Sequence, residues 1–97
     1  MYIIYTISDC KYCQLAKELL EQYKEPKIII SCDNMISNPY LKRDFIESMN
    51  DKIKRPLNKL TFPIIFLDDC YIGGYNLLKE HLETDDILKQ YVFNADF

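Results

Sequence analysis

Two cysteines, Cys10 and Cys13, have the residue types and the spacing that favour sulfur chemistry. The segment Tyr2–Thr6 is rich in β-branched and aromatic residues and predicts a strand, and the apolar spacing of Lys11–Lys24 predicts an amphipathic helix. Cys10 therefore stands where a strand meets a helix N-terminus, whose free amides and dipole favour a thiolate. Cys13 follows one turn later and can attack a mixed disulfide formed on Cys10. The pattern predicts a redox pair in which Cys10 attacks and Cys13 resolves.

A Cys-x-x-Cys pair can also supply half of a zinc site, so this alternative must be weighed. The remaining cysteines, Cys32 and Cys70, stand alone, and the only histidine is His81. Structural zinc sites usually contain a second close pair of ligands, which favours redox use and no bound metal. We expect Cys32 to be a buried small hydrophobe and Cys70 to have a structural or incidental role in a hairpin turn. We expect His81 to be solvated on a surface helix.

The other predicted elements give an α/β chain. An unbroken isoleucine run favours a second strand that is buried on both faces of a parallel sheet, and Asn38-Pro39 predicts a helix start with an apolar stripe behind it. Paired apolar runs around Asp68-Asp69 predict an antiparallel hairpin. These elements are strand Lys27–Ser31, a helix from Asn38 that ends before Pro56, strands Ile64–Leu67 and Cys70–Ile72, and helices Tyr75–Leu82 and Asp85–Phe93.

Size and composition limit the classes of protein. With 97 residues, 48% of them hydrophobic and 28% charged, the chain fits one globular domain that spans residues 1–97. A net charge of −3 does not suggest a nucleic-acid binder, and no apolar run is long enough to span a membrane. No secretion signal is visible, so we expect a cytoplasmic protein. We also expect it to be a monomer. The many lysines and isoleucines suggest an AT-rich gene, such as that of a large DNA virus or a parasite. If the source is viral, the location would be the host cytosol.

Three motifs in order resemble those of the glutaredoxins, which are small proteins of the thioredoxin fold that use glutathione. The segment Cys10-Lys11-Tyr12-Cys13 is similar to the family's Cys-Pro-Tyr-Cys. Thr61-Phe62-Pro63 is similar to its Thr-Val-Pro, and Ile72-Gly73-Gly74-Tyr75-Asn76 to its Gly-Gly-x-Asp. The resemblance covers nearly all of the chain. It implies a four-stranded mixed sheet flanked by α-helices, with Pro63 in the cis form beside the cysteines.

The resemblance also implies how glutathione, as co-substrate, would be held. The backbone of Phe62 would pair with the cysteinyl backbone of glutathione like an added strand. Free amides at Tyr75 and Asn76, reached through the turn at Gly74, would bind the γ-glutamyl carboxylate. The expected contacts with glutathione are Lys11, Tyr12, Lys59, Thr61, Phe62, Pro63, Gly74, Tyr75 and Asn76.

The chain departs from the family pattern at three positions, and its span between Cys13 and Thr61 is longer than expected for the compact members. Ile7 stands where many members have a lysine, so Lys59 and Lys11 would have to meet the glycyl carboxylate. Lys11 replaces a proline, and Asn76 replaces an aspartate and offers no ion pair.

The implied activity is glutathione-dependent reduction of protein disulfides and of glutathione mixed disulfides, without a tightly bound cofactor. The partners would be glutathione and disulfide-containing or glutathionylated proteins. The open alternatives are a thioredoxin-like reductase that uses another electron donor, and a binding module or iron–sulfur cluster carrier.

Overall fold

A computed structural model describes residues 1–57 and 59–84 of the chain. Strands and helices alternate at first and a hairpin follows. The elements are β1 (Tyr2–Thr6), α1 (Lys11–Gln22), β2 (Lys27–Ser31), a short 3-10 turn (Asp33–Met35), α2 (Pro39–Ile53), β3 (Ile64–Leu67), β4 (Cys70–Gly73) and a helix that covers residues 75–84, called α3. None of these helices is long and apolar enough to cross a membrane.

The four described strands form one mixed sheet in the order β2-β1-β3-β4. β1 pairs in parallel with β2, from Tyr2 opposite Lys27 to Thr6 opposite Ser31. β3 runs antiparallel to both β1 and β4. The central position of β1 places its carboxyl end, and therefore the segment that leads to Cys10, in the middle of the sheet.

The start of α2 follows from local chemistry that the sequence already displays. The Asn38 side chain accepts a hydrogen bond of 2.9 Å from the Leu41 backbone N–H, and Pro39 occupies the first turn, where a missing N–H has no consequence. The helix ends at Lys54, whose φ of 68° is left-handed. This confirms the predicted start at Asn38 and the predicted end before Pro56.

Apolar side chains cover both faces of the sheet. On one face, residues of α1 and α3 pack against β1 and β3, in a cluster of Tyr2, Ile4, Ala16, Leu20, Ile65, Leu78 and Leu82. On the other face, α2 packs in a cluster of Tyr5, Cys32, Phe45, Met49, Ile53, Ile64 and Phe66. The expected mixed sheet flanked by helices is thus confirmed.

One expectation about β2 is wrong. Its bounds and parallel pairing are as predicted, but Ile28 is 47% exposed and Ile29 46% exposed rather than buried on both faces. The physical reason is the position of β2 at the edge of the described sheet, where it has a neighbour on one side. The predicted helix Asp85–Phe93 lies outside the described residues.

Candidate active site

Cys10 and Cys13 are joined by a disulfide at the N-terminus of α1, with their Cα atoms 5.2 Å apart. Cys10 is the N-cap residue, and its Sγ accepts a hydrogen bond of 3.2 Å from the Cys13 backbone N–H. Sulfur here takes the place that a serine or aspartate oxygen usually takes at a helix start. After reduction, the same N–H and the helix dipole would stabilise a thiolate on Cys10.

The two cysteines differ in accessibility. Cys10 is partly exposed, whereas Cys13 is only 1% exposed. A disulfide substrate that arrives from solvent can therefore reach the sulfur of Cys10 first. Cys13 lies behind it, within reach of a mixed disulfide formed on Cys10.

The segment that precedes β3 lies against the disulfide. The Phe62–Pro63 peptide bond is cis, as the resemblance implied, and Pro63 is buried. The Phe62 carbonyl oxygen is 3.7 Å from Cys10 Sγ, while the Phe62 ring stacks on Phe45 of α2 with centroids 5.9 Å apart. The backbone of Phe62 thus borders the sulfur, and packing on α2 holds its side chain.

Two glycines lead from β4 into α3 beside this segment, Gly73 as the last residue of the strand and Gly74 between the two elements. Gly73 is buried with a φ of +131°, and a Cβ at this position would clash with Leu77. A Cβ on Gly74 would lie 3.7 Å from the Pro63 carbonyl oxygen, so the backbone passes close to Pro63. Leu78 N–H donates to the Gly74 carbonyl at 3.0 Å, which starts the helix. The first amides of such a helix have no intrahelical acceptor and can bind an anion.

An aromatic contact joins the first turn of α1 to the first turn of α3. The rings of Tyr12 and Tyr75 lie with centroids 6.0 Å apart and their planes 35° apart, and Tyr12 is 53% exposed. The N-terminal turns of α1 and α3 are therefore neighbours. The structure brings Cys10, Tyr12, Phe62, Pro63, Gly74 and Tyr75 together around the disulfide.

Four further residues named from the sequence are exposed. They are Lys11, Lys59, Thr61 and Asn76. Among the described residues, none of these side chains is in a hydrogen bond, ion pair or ring contact, so they remain available to a ligand. Ile7 packs against the cluster beneath α2.

The remaining cysteines differ from each other in their environments. Cys32 is buried as expected, and burial raises the pKa of its thiol. Cys70 is exposed at the start of β4. Within residues 1–57 and 59–84, no three cysteine, histidine or acidic side chains form a group that could hold a metal ion.

The expectation of a solvated His81 is wrong. Its ring is half-buried and meets Tyr2 edge-on, with centroids 6.2 Å apart. The apolar contact with β1 explains the difference.

Sequence reasoning missed a contact next to the site. One Asp33 carboxylate oxygen accepts a hydrogen bond of 3.0 Å from the Ser8 backbone N–H, and the other accepts one of 3.1 Å from Ser31 Oγ. The hydrogen bond from Ser8 holds the pKa of this carboxyl below its usual value. No motif links Asp33 to the cysteine pair, so no sequence signal could have found the contact.

Comparisons with known proteins agree with this geometry. Glutaredoxin 1 of Rickettsia bellii is 36% identical over 86 residues, and the match covers 80% of this chain and 76% of that protein. The crystal structure of glutaredoxin 1 from Francisella tularensis, complexed with cacodylate, is 32% identical, with a TM-score of 0.63 over 91% of this chain and 95% of its own. A buckwheat glutaredoxin–glutathione complex is 17% identical, with a TM-score of 0.65 over 91% and 73% of the two chains, and shows likeness of fold. No protein-family model matches the chain.

Proposed function

The chain belongs to the glutaredoxin family, and from that premise we propose that it is a glutathione-dependent thiol–disulfide oxidoreductase. The observation that carries the proposal is the partly exposed Cys10 at the N-cap of α1, joined to the buried Cys13. This pair is what a two-step exchange needs, because the outer sulfur attacks and the inner one resolves.

The reaction proceeds by sulfur exchange. The Cys10 thiolate attacks a disulfide sulfur of the substrate, a Cys10–sulfur bond forms, and the substrate thiolate leaves. With a glutathionylated substrate, a second glutathione attacks the Cys10–glutathione disulfide, which releases glutathione disulfide and the reduced enzyme. With a protein disulfide, Cys13 attacks the mixed disulfide and the Cys10–Cys13 disulfide results. Two molecules of glutathione then reduce it.

The main-chain groups around the disulfide support a glutathione site. The Phe62 backbone borders Cys10 Sγ and suits pairing with a short extended peptide. The amides at the start of α3, including those of Tyr75 and Asn76, suit a carboxylate. A related fold is known in complex with glutathione, in the buckwheat protein. Gly74 and Pro63 would let the ligand lie close to the backbone, with Tyr12 and Thr61 at its sides.

Two lysines would supply the charge that Ile7 does not. Lys59 and Lys11 are exposed and unpaired among the described side chains, so both can meet a glycyl carboxylate. We expect Lys59→Ala to raise the KM for a glutathione mixed disulfide about two- to fivefold, the range of an exposed ion pair. Lys42→Ala, at an exposed position of α2, is the matched control and should leave the KM unchanged. Equal KM values for Lys59→Ala and wild type would remove Lys59 from the site.

The test of the function is turnover of a small glutathione mixed disulfide in the presence of glutathione, glutathione reductase and NADPH. Turnover by the wild type that is lost in Cys10→Ser and kept in Cys13→Ser would support both the activity and the assignment of the nucleophile. Absence of wild-type turnover, in protein whose thiols still cycle with dithiothreitol, would refute glutathione dependence.

A further inference from the structure

The segment between β1 and α1 sets the position of the reactive sulfur. It consists of Ile7, Ser8 and Asp9, and Asp9 has a left-handed φ of 53°. Cys10 follows immediately as the helix N-cap. With so few residues between strand and sulfur, a shift of the backbone at Ser8 moves Cys10 relative to the Cys13 N–H.

One side chain from another element holds this segment. Asp33, in the 3-10 turn that follows β2, accepts the Ser8 N–H at 3.0 Å, and Ser31 Oγ fixes the second carboxylate oxygen at 3.1 Å. The 3-10 turn that carries Asp33 is itself fixed to β1, because the Cys32 N–H donates a hydrogen bond of 2.7 Å to the Thr6 carbonyl. The hydrogen bonds therefore run from the end of β1, through the turn, back to the residue two places before Cys10.

We propose that Asp33 is a positioning residue for Cys10: by holding the Ser8 backbone it keeps the Cys10 sulfur within reach of the Cys13 N–H. The inference deepens the proposed function, since it rests on Cys10 being the attacking thiol. Asp33 itself does not touch the sulfur in this arrangement. It acts through Ser8 and the short segment that follows.

Charge and position have opposite effects on Cys10, which makes the proposal testable. A carboxylate near a thiol disfavours the thiolate, so loss of the Asp33 charge alone would lower the pKa of Cys10. Loss of position would weaken the hydrogen bond from the Cys13 N–H and would raise that pKa. The charged groups that line the groove at Cys10 are Asp9, Lys11 and Lys17. Asp33 is not one of them, and all three are the same in every variant.

The experiment measures alkylation of Cys10 in the reduced full-length chain by iodoacetamide as a function of pH, with each cysteine resolved by mass spectrometry. Asp33→Ala removes both charge and acceptor. It should raise the pKa of Cys10 and slow alkylation by about three- to tenfold at a pH below the wild-type pKa of Cys10, where the thiolate fraction falls tenfold for each unit by which the pKa rises. Asp33→Asn keeps an oxygen acceptor for Ser8 N–H and should react as fast as wild type or faster.

Two controls separate positioning from general damage. Ser31→Ala frees one carboxylate oxygen and should give a smaller change in the same direction as Asp33→Ala. Glu47→Ala, at an exposed position of α2, should change nothing. A lower Cys10 pKa in both Asp33 variants would show an effect of charge alone. An unchanged Cys10 pKa in Asp33→Ala would show that Asp33 has no effect. Either result overturns the proposal.

The readout does not need glutathione, so the two proposals can fail separately. If Asp33→Ala raises the pKa of Cys10 but the wild type does not turn over glutathione mixed disulfides, the positioning role stands and the proposed function fails. If turnover is normal and alkylation is insensitive to Asp33, the positioning role fails and the proposed function stands.

Discussion

Burial divides the cysteines of this chain into two kinds of thiol. Cys13 and Cys32 are 1% and 0% exposed, whereas Cys10 is partly exposed and Cys70 is exposed. For Cys32, burial is the largest cause of a raised thiol pKa, and the hydrogen bond from the backbone only partly offsets it. A thiolate is the reactive form of cysteine, so Cys32 should stay inert at neutral pH.

A thiol count tests this division. In a variant with Cys10→Ser and Cys13→Ser, we expect one thiol, Cys70, to react promptly with Ellman's reagent and one, Cys32, to react only after denaturation. Adding Cys70→Ser should abolish the prompt reaction. Two prompt thiols in the first variant would contradict the burial of Cys32.

The raised pKa of Cys32 also has a consequence for stability. The unfolded chain releases this proton near the ordinary thiol value of 9.0, and the folded chain releases it only at higher pH. The contribution of a neutral Cys32 is therefore complete below pH 9 and is lost as the pH rises further. We expect the wild type, compared with Cys32→Ala, to lose stability more steeply above pH 9, as measured by urea unfolding at each pH. Parallel pH profiles of stability for the two proteins would contradict this effect of Cys32.

At the scale of the elements, the start of α2 matters for the candidate active site as well as for the helix. Asn38 caps this helix, and Phe45 within it stacks on Phe62 beside the disulfide. Asn38→Ala removes the cap of the Leu41 N–H and should lower the free energy of unfolding by about 1 kcal/mol. Asn38→Asp can accept the same hydrogen bond and should stay near wild type in urea unfolding. Equal losses in the two variants would mean that something other than the cap is measured.

The turn between β4 and α3 offers a paired test at two adjacent glycines. Gly73 has a φ of +131°, and a Cβ there would meet Leu77, whereas a Cβ on Gly74 would make an ordinary contact of 3.7 Å with the Pro63 carbonyl. We expect Gly73→Ala to lower the free energy of unfolding by about 1–3 kcal/mol, the range for a residue held in a sparsely populated region. Gly74→Ala should change it much less. A larger loss at Gly74 in thermal or urea unfolding would reverse the assignment of the strained position.

The sequence predicted the positions of helices and strands better than it predicted burial and the contacts between distant segments. Local signals were sufficient for Asn38-Pro39 at the start of α2 and for the hairpin around Asp68, because capping and turn chemistry act between adjacent residues. The exposure of Ile28 was not predictable, since an apolar run reads the same in a central and in an edge strand. The contacts of His81 with Tyr2 and of Asp33 with Ser8 join distant segments, and no local pattern encodes them.

For the whole molecule, β3 links the two hydrophobic clusters. Ile65 is fully buried in the cluster beneath α1 and α3, and its neighbour Ile64 is 3% exposed in the cluster beneath α2. Adjacent strand residues point to opposite faces, so the two clusters share one backbone. This shared strand favours one domain over residues 1–57 and 59–84, because a loss of packing on one face would disturb the strand against which the other face packs.

Conservative substitutions at these two positions test that coupling. Ile65→Val and Ile64→Val each remove one methylene from a buried site and should each lower the free energy of unfolding by about 0.5–1.5 kcal/mol. In native-state hydrogen exchange, the most protected amides of α1 and of α2 should then lose protection together in each variant, since global unfolding exposes both helices. If Ile65→Val weakened α1 alone and Ile64→Val weakened α2 alone, the two faces would be separate cooperative units. Joint loss in both variants is expected, because the strand that carries both isoleucines lies between β1 and β4 and cannot leave the sheet from one side.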